Sequence, residues 1–218
     1  MKQRLDQAMA VRGLAPTRSQ AESYIRLGKV TVNSKTVTKS GLLVDSEDVI
    51  ALYANEQYVS RAGLKLASVA QLFHVKFRGK IVLDVGSSTG GFTDYALQHG
   101  AQKVIAVDVG TDQLHPSLHG HSRIVLHEKT DIRDVWLNGE NVKNKGQEAD
   151  SRPVYIEAPD VIVADVSFIS LRSILPHISC LMSSGTLLVV MVKPQFEAGA
   201  SNIKHHGVIK NDRMRREV

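Results

Sequence analysis

The chain has a single cysteine, Cys180, among its 218 residues. A lone cysteine excludes an intramolecular disulfide and fits a reducing cytoplasm. Long apolar runs are missing too. The longest, residues 187–192, falls far short of the roughly 20 residues needed to span a bilayer. No secretory signal is legible in the first 20 residues, where Lys2, Arg4, Asp6, Arg12 and Arg18 leave no apolar core. There is no low-complexity tract. The nine histidines show no ligand spacing with cysteine or carboxylate, and the adjacent pair His205 and His206 reads as loop, so no metal is expected. These absences set the expectation of a soluble, cytoplasmic protein with neither a metal nor a membrane partner.

What is present is an ordinary globular composition, 43% hydrophobic and 22% charged, with a basic excess of +5. That excess suits a nucleic-acid partner, although many proteins without one share it. The pattern of the chain changes near residue 60, which divides it into expected domains 1–59 and 60–218.

In the first domain, Leu5, Ala8, Met9 and Val11 recur at helical spacing and Gly13 stops the helix. Thr17, with Gln20 three residues on, has capping-box spacing, and the helix it opens runs to Gly28. Alternation follows at Val30 and Val32, with turns at residues 33–35 and 40–41 and a strand at 49–52. This is a small α+β unit. Arg4, Arg12, Arg18, Arg26, Lys29, Lys35 and Lys39 carry its charge on helices and turns; Arg18 and Arg26 are eight apart and share a helix face, with Lys29 at its end, and a merely solvated basic face is the alternative. The run Arg4-Leu5-Asp6, Arg12-Gly13-Leu14-Ala15, Thr17-Arg18-Ser19-Gln20-Ala21, Gly28-Lys29-Val30 and Val32-Asn33 resembles the S4 RNA-binding domain. The resemblance implies that the basic helical face docks on structured RNA through phosphate contacts.

Past residue 60 a helix is expected over 60–75, then apolar runs at 81–85, 103–109, 123–127, 160–166 and 186–192, with helices at 92–99 and 170–182. Apolar strands without alternation are those of a parallel sheet covered on both faces. The repetition of strand and helix predicts a doubly wound α/β domain. Residues 137–159 are polar and read as a long surface loop.

Asp84-Val85-Gly86-Ser87-Ser88-Thr89-Gly90-Gly91-Phe92-Thr93 leads from a buried strand through a Gly-rich turn into a helix. The glycines lack G-x-G-x-x-G spacing, which disfavours an NAD-linked oxidoreductase, and no Walker lysine follows. The motif D-x-G-x-x-x-G-G-F-T resembles the S-adenosylmethionine loop of FtsJ-like and TlyA-like methyltransferases. On this reading the loop residues Gly86, Ser87, Gly90, Gly91 and Phe92 hold the cofactor. Asp84 lies within reach of the methionine ammonium. Asp108, about 20 residues on, is placed to accept from the ribose hydroxyls, and Asp131 to meet the adenine amino group.

Asp165 and Lys193 end two further strands, beside that site. A lysine after so apolar a strand is expected to be desolvated and paired, a setting that tunes an amine towards a base; a buried salt bridge joining two strands is the alternative. Ser60-Arg61-x-Gly63-Leu64-Lys65-Leu66, Ala164-Asp165-Val166-Ser167-Phe168-Ile169-Ser170 and Val192-Lys193-Pro194-Gln195-Phe196-Glu197 resemble the TlyA (hemolysin A-like) family. The resemblance implies a Rossmann-like, S-adenosylmethionine-dependent methyltransferase with an N-terminal S4 domain. Its expected acceptor is a cytidine ribose 2′-hydroxyl of ribosomal RNA, in ribosomal subunits. It further implies a Lys-Asp-Lys-Glu tetrad, carried here by Lys65, Asp165 and Lys193. Lys193 would handle the hydroxyl proton, Asp165 would polarise Lys193, and Lys65 would position the ribose.

Two departures stand out. Ala62 replaces a usual second glycine. The last tetrad glutamate belongs to a motif some tens of residues beyond Lys193, and the sequence ends at Val218 in what reads as the start of a helix (211–217), so the expectation is a C-terminally truncated chain. Glu197 belongs to the earlier motif and is not that glutamate. Such a chain would leave one side of its sheet uncovered. Two rival readings are an RNA-binding, ribosome-associated module without catalysis and a membrane-active hemolysin. No spanning helix, alternating barrel or basic amphipathic helix supports the latter. The oligomeric state has no signature in the sequence.

Overall fold

The structure, a computed structural model, describes residues 2–53, 58–139 and 153–197. The polar stretch at 140–152, the histidine pair and the helix expected over 211–217 lie outside the described residues. Two compact units divide the chain, 1–75 and 76–218.

The first unit opens with β1 (Gln3–Arg4), α1 (Leu5–Val11) and α2 (Arg18–Arg26). Thr17 caps α2, its hydroxyl accepting from Gln20 N–H at 3.2 Å. Both helices close in the same way. Gly28 N–H bonds Ile25 C=O and Lys29 N–H bonds Tyr24 C=O, and Gly13 and Leu14 repeat this pattern on Ala10 and Met9. β2 (Val30–Val32) and β3 (Lys35–Thr36) form a hairpin over Asn33 and Ser34, both left-handed, as a two-residue turn matched to strand twist requires. β4 (Leu43–Val44) pairs with β1, and β5 (Ile50–Leu52) with β2, all antiparallel. Leu5, Met9, Tyr24, Ile25, Val30 and Val44 fill the core. α3 (Arg61–Leu72) buries Leu64, Leu66 and Ala70 and packs on α2. By contacts it therefore lies in the N-terminal unit, although the sequence pattern breaks before it.

The second unit is a parallel sheet of β6 (Ile81–Val85), β7 (Lys103–Val107), β8 (Ile124–His127), β11 (Val161–Ala164) and β12 (Leu187–Val190), in the order β12-β11-β6-β7-β8. β9 (Val135–Leu137) and β10 (Val154–Ile156) make a separate parallel pair. Residues 154–156 are thus strand rather than the surface loop expected from their polar surroundings. Ile156 is buried among the sheet's core residues, and that burial outweighs the local polarity. α4 (Gly91–Gln98) follows β6, α5 (Leu171–Cys180) follows β11, and α6 (Pro194–Glu197) follows β12. Ile174 and Ile178 of α5 pack on Leu83, Ile105 and Ile162 of the strands. The strands stop two residues before the ends of the apolar runs at 103–109, 160–166 and 186–192, because the final residues of each run leave the ladder to form loops. The chain passes outward from β6 to β7 and β8, then returns to β11 and β12 on the other side. In such sheets, ligands bind at the carboxyl ends of the strands where the order reverses. Among the described residues no helix is long and apolar enough to cross a membrane.

Candidate active site

Register places the site. Val85 of β6 is level with Val107 of β7 and Ala164 of β11, so the next residues, Gly86, Asp108 and Asp165, emerge together at the crevice. Gly86 and Gly90 both have positive φ, +77° and +85°. A Cβ on Gly86 would sit 3.2 Å from Val166 Cγ1 and 3.3 Å from its Cα, so only glycine lets the loop pass so close to β11's end. A Cβ on Gly90 would fall 2.6 Å from the tips of both Leu114 and Leu118. Asp108 fixes this loop to β7: its carboxylate accepts from Ser88 N–H and Gly110 N–H, each at 2.7 Å.

A cleft of about 300 Å³ opens here, at the lower end of small-molecule sites. Of the residues expected to bind cofactor, Gly86, Asp108 and Asp131 line it, as does Asp165. Ser87, Gly90, Gly91 and Phe92 do not; they build the turn and the buried start of α4 beside it. Asp84 is also off the wall. It is 1% exposed and accepts from Thr93 Oγ1 at 2.7 Å, while its Oδ1 is buried with no partner among the described residues. Burial pushes its pKa up to about 7. Asp131 starts a single 3₁₀ turn and accepts from Arg133 N–H and Nε, each at 2.9 Å, and from Nη2 at 2.7 Å; this pairing holds its carboxyl below the usual range. Ser88, Gln113, Thr130 and Phe168 line the cleft without having been singled out. Ser88 and Phe168 stand inside the motifs, but Gln113 lies in a loop with no pattern to mark it.

Lys193 and Asp165 meet. Nζ is 2.7 Å from Asp165 Oδ1 and donates to Ser167 Oγ at 2.7 Å and to Asp165 C=O at 3.3 Å. The two side chains are only 19% and 13% exposed. The ammonium is thus held by two hydrogen bonds and one close ion pair. Ser167, which the sequence did not mark, completes this set. Beside it Phe168 is 92% exposed, is held at φ +66°, and has its ring 5.4 Å from that of Phe196. Glu197 has a structural partner set: it accepts from Ser170 Oγ at 2.6 Å and from Leu171 N–H at 2.7 Å, capping α5. Lys65 is exposed on α3, in the N-terminal unit.

The basic residues of that unit divide differently from their spacing on the helix. Arg4 and Arg18 converge on Asp6 of α1, whereas Arg26 pairs with Glu22 one turn back on its own helix. Lys29 is exposed after Gly28.

Residues 58–218 match the FtsJ-like methyltransferase family model, and residues 3–50 match the S4 domain. The fold and its site are those of an S-adenosylmethionine-dependent methyltransferase domain joined to an S4 domain. Hemolysin A of Brachyspira hyodysenteriae is 39% identical over 215 residues, 99% of this chain and 84% of that protein. The 16S/23S rRNA (cytidine-2′-O)-methyltransferase TlyA of Mycobacterium tuberculosis is 34% identical over 214 residues, 97% of this chain and 74% of that protein. A solved structure from Streptococcus thermophilus, described as a hemolysin, is similar with a TM-score of 0.61 at 36% identity, covering 99% of this chain and 74% of that one. The chain belongs to the TlyA (hemolysin A-like) family.

Proposed function

We propose that this protein methylates a ribose 2′-hydroxyl of ribosomal RNA, with cytidine as the acceptor nucleoside and ribosomal subunits as the substrate. The observation that carries this reading is the Lys193–Asp165 pair just past the ends of adjacent parallel strands: Asp165 lines the cleft together with the Gly-rich loop, and Lys193 reaches it through Asp165 and Ser167. The named activity of the M. tuberculosis relative supports the choice of acceptor.

The cleft fits the cofactor by its set of acceptors. Carboxylates stand at the end of β7 and just beyond β8, and a third, Asp84, lies buried off the cleft wall two residues before Gly86, with one oxygen unpartnered among the described residues. Asp108 would accept from the ribose hydroxyls, Asp131 from the adenine amino group, and Asp84 would be offset by the methionine ammonium. When bound, S-adenosylmethionine supplies an electrophilic methyl, so the protein has only to place and deprotonate the acceptor.

Deprotonation falls to Lys193. As an ammonium it donates to Asp165 C=O and Ser167 Oγ and pairs by charge with the Asp165 carboxylate. As the neutral amine it keeps two donors for those partners, and its lone pair takes the proton of the 2′-hydroxyl. The O–H bond breaks as the N–H bond forms, and Asp165 stabilises the resulting ammonium. Lys65 positions the ribose. Arg4, Arg18, Arg26 and Lys29 hold the RNA by its phosphates, and the cytoplasm is the compartment where ribosomal subunits are met.

The test is transfer of labelled methyl to subunits lacking the modification, followed by digestion to nucleosides. Label in 2′-O-methylcytidine is the expected result. Label on a base would reject the hydroxyl as acceptor, and RNA bound without label would favour a non-catalytic module.

A further inference from the structure

A fully buried carboxylate sits under the basic face of the S4 unit. Asp6 on α1 has no exposed surface, and it is surrounded by arginine. Arg4 grips it with two parallel bonds, Nε to Oδ1 at 3.0 Å and Nη2 to Oδ2 at 2.8 Å. Arg18 reaches across from α2 with Nε to Oδ2 at 3.0 Å. Gln7 N–H adds a bond to Oδ1 at 2.9 Å. The Arg4 guanidinium lies against Gly41, where a Cβ would come within 2.9 Å of Nη1. The Asp6 carboxyl is held down to about 2, first by Arg4 and then, against its burial, by Arg18. It is therefore a permanent anion at any ordinary pH.

Such an arrangement is odd for a surface meant simply to be positive. One of its two cationic charges is cancelled, and both side chains lose rotamer freedom. What it gains is geometry. Arg4 keeps Nη1, and Arg18 keeps both terminal nitrogens; among the described residues none of the three has a hydrogen-bond partner. The two side chains remain 42% and 54% exposed. Two rigid forks on a common anchor, with outward N–H donors, suit the tetrahedral oxygens of one phosphodiester.

We propose that Asp6 is a positioning residue for RNA: it locks Arg4 and Arg18 into a single seat for one backbone phosphate. This deepens the RNA-docking part of the proposed function and rests on it. Arg26, tied to Glu22 elsewhere on α2, stands outside the seat and contributes charge only.

The proposal makes an expectation opposite to that from net charge. Asp6→Asn raises the chain's charge by one, as does Glu47→Gln at an exposed turn of the same unit. Binding of a fluorescein-labelled RNA hairpin to the full chain is measured for both over a salt series. Glu47→Gln is expected to bind as tightly as the parent or more so. Asp6→Asn is expected to weaken binding about tenfold, the loss of one charge-assisted contact, and to flatten the salt slope by about one phosphate. Cofactor affinity, measured in the same samples, reports a folded chain. If Asp6→Asn does not fold, Arg4→Lys and Arg18→Lys serve instead. Each keeps its charge but loses the fork, and each is expected to lose most of what its alanine variant loses. Asp6→Asn binding as tightly as Glu47→Gln, or lysine variants that bind like the parent, would overturn the seat. Alanine at Arg4 and Arg18 without effect would reject RNA docking by this face altogether, a separate failure.

Discussion

On the proposed mechanism, Asp84 and Lys193 are the two residues whose setting the chemistry depends on most. Asp84 has a definite thermodynamic cost. Its pKa is about 7 in the folded chain because it is buried, against about 3.9 in an unfolded one. Below pH 4 both states hold the proton, and folding is indifferent to it. Between pH 4 and 7 the unfolded chain releases the proton while the folded chain keeps it, so stability falls as pH rises, by about 1.4 kcal/mol per unit. Above pH 7 the loss is constant, on the order of 4 kcal/mol. Asp84→Asn is therefore expected to leave stability nearly unchanged at pH 4 and to raise it at pH 8, visible as a higher melting temperature. An equal effect at both pH values would show that the burial cost is not the ionisation of Asp84. Lys193 is held by Asp165 and Ser167 with its side chain 19% exposed. That Asp84 would matter was legible, since it opens the Gly-rich motif. That it would lie beneath the cleft wall was not, because alternation along β6 assigns its face only once the packing of Thr93 on α4 is known.

Among elements, the loop from β6 to α4 is the one the proposed function gives to the cofactor, and its backbone shape is what the proposal depends on. Gly86→Ala would need a left-handed alanine, costing about 1–2 kcal/mol, with its Cβ against the Val166 backbone. The expected result is a destabilised domain and at least about tenfold weaker cofactor binding, both readable by thermal shift with and without S-adenosylmethionine. Unchanged affinity would mean that the close approach of loop and β11 is not needed. The strands were legible to within two residues, because buried parallel strands demand unbroken apolar runs. Short pieces were not. β10 is three residues in a polar region, and β1 and β4 are two residues each, so none of the three leaves a periodicity to read. The pairing of basic residues also escaped. Helical spacing placed Arg18 with Arg26, but spacing knows only its own helix, and the anchor for Arg18 is Asp6 on α1.

At the scale of the whole molecule, a basic S4 unit supplies RNA affinity and a parallel α/β unit supplies the reaction. RNA affinity of this kind depends on salt through phosphate contacts. Replacing Arg18 and Arg26 together with alanine is expected to weaken binding and reduce the magnitude of the salt slope by roughly 1.5 to 2, with methyl transfer falling through KM rather than kcat. An unchanged slope would remove that helix from the interface. Motifs spread over the chain made this division readable from sequence. The pattern changes near residue 60 and the FtsJ-like match begins at residue 58, while by contacts α3 clusters with the first unit.

On the proposed mechanism, Lys193 takes the proton of the acceptor hydroxyl. The most direct measurement is methyl transfer to unmodified ribosomal subunits by the parent chain and by Lys193→Ala, with cofactor affinity determined on the same preparations. Transfer should fall by about 10² or more while the dissociation constant for S-adenosylmethionine stays within about threefold. A Lys193→Ala chain that binds cofactor and transfers methyl at the parental rate would contradict the mechanism.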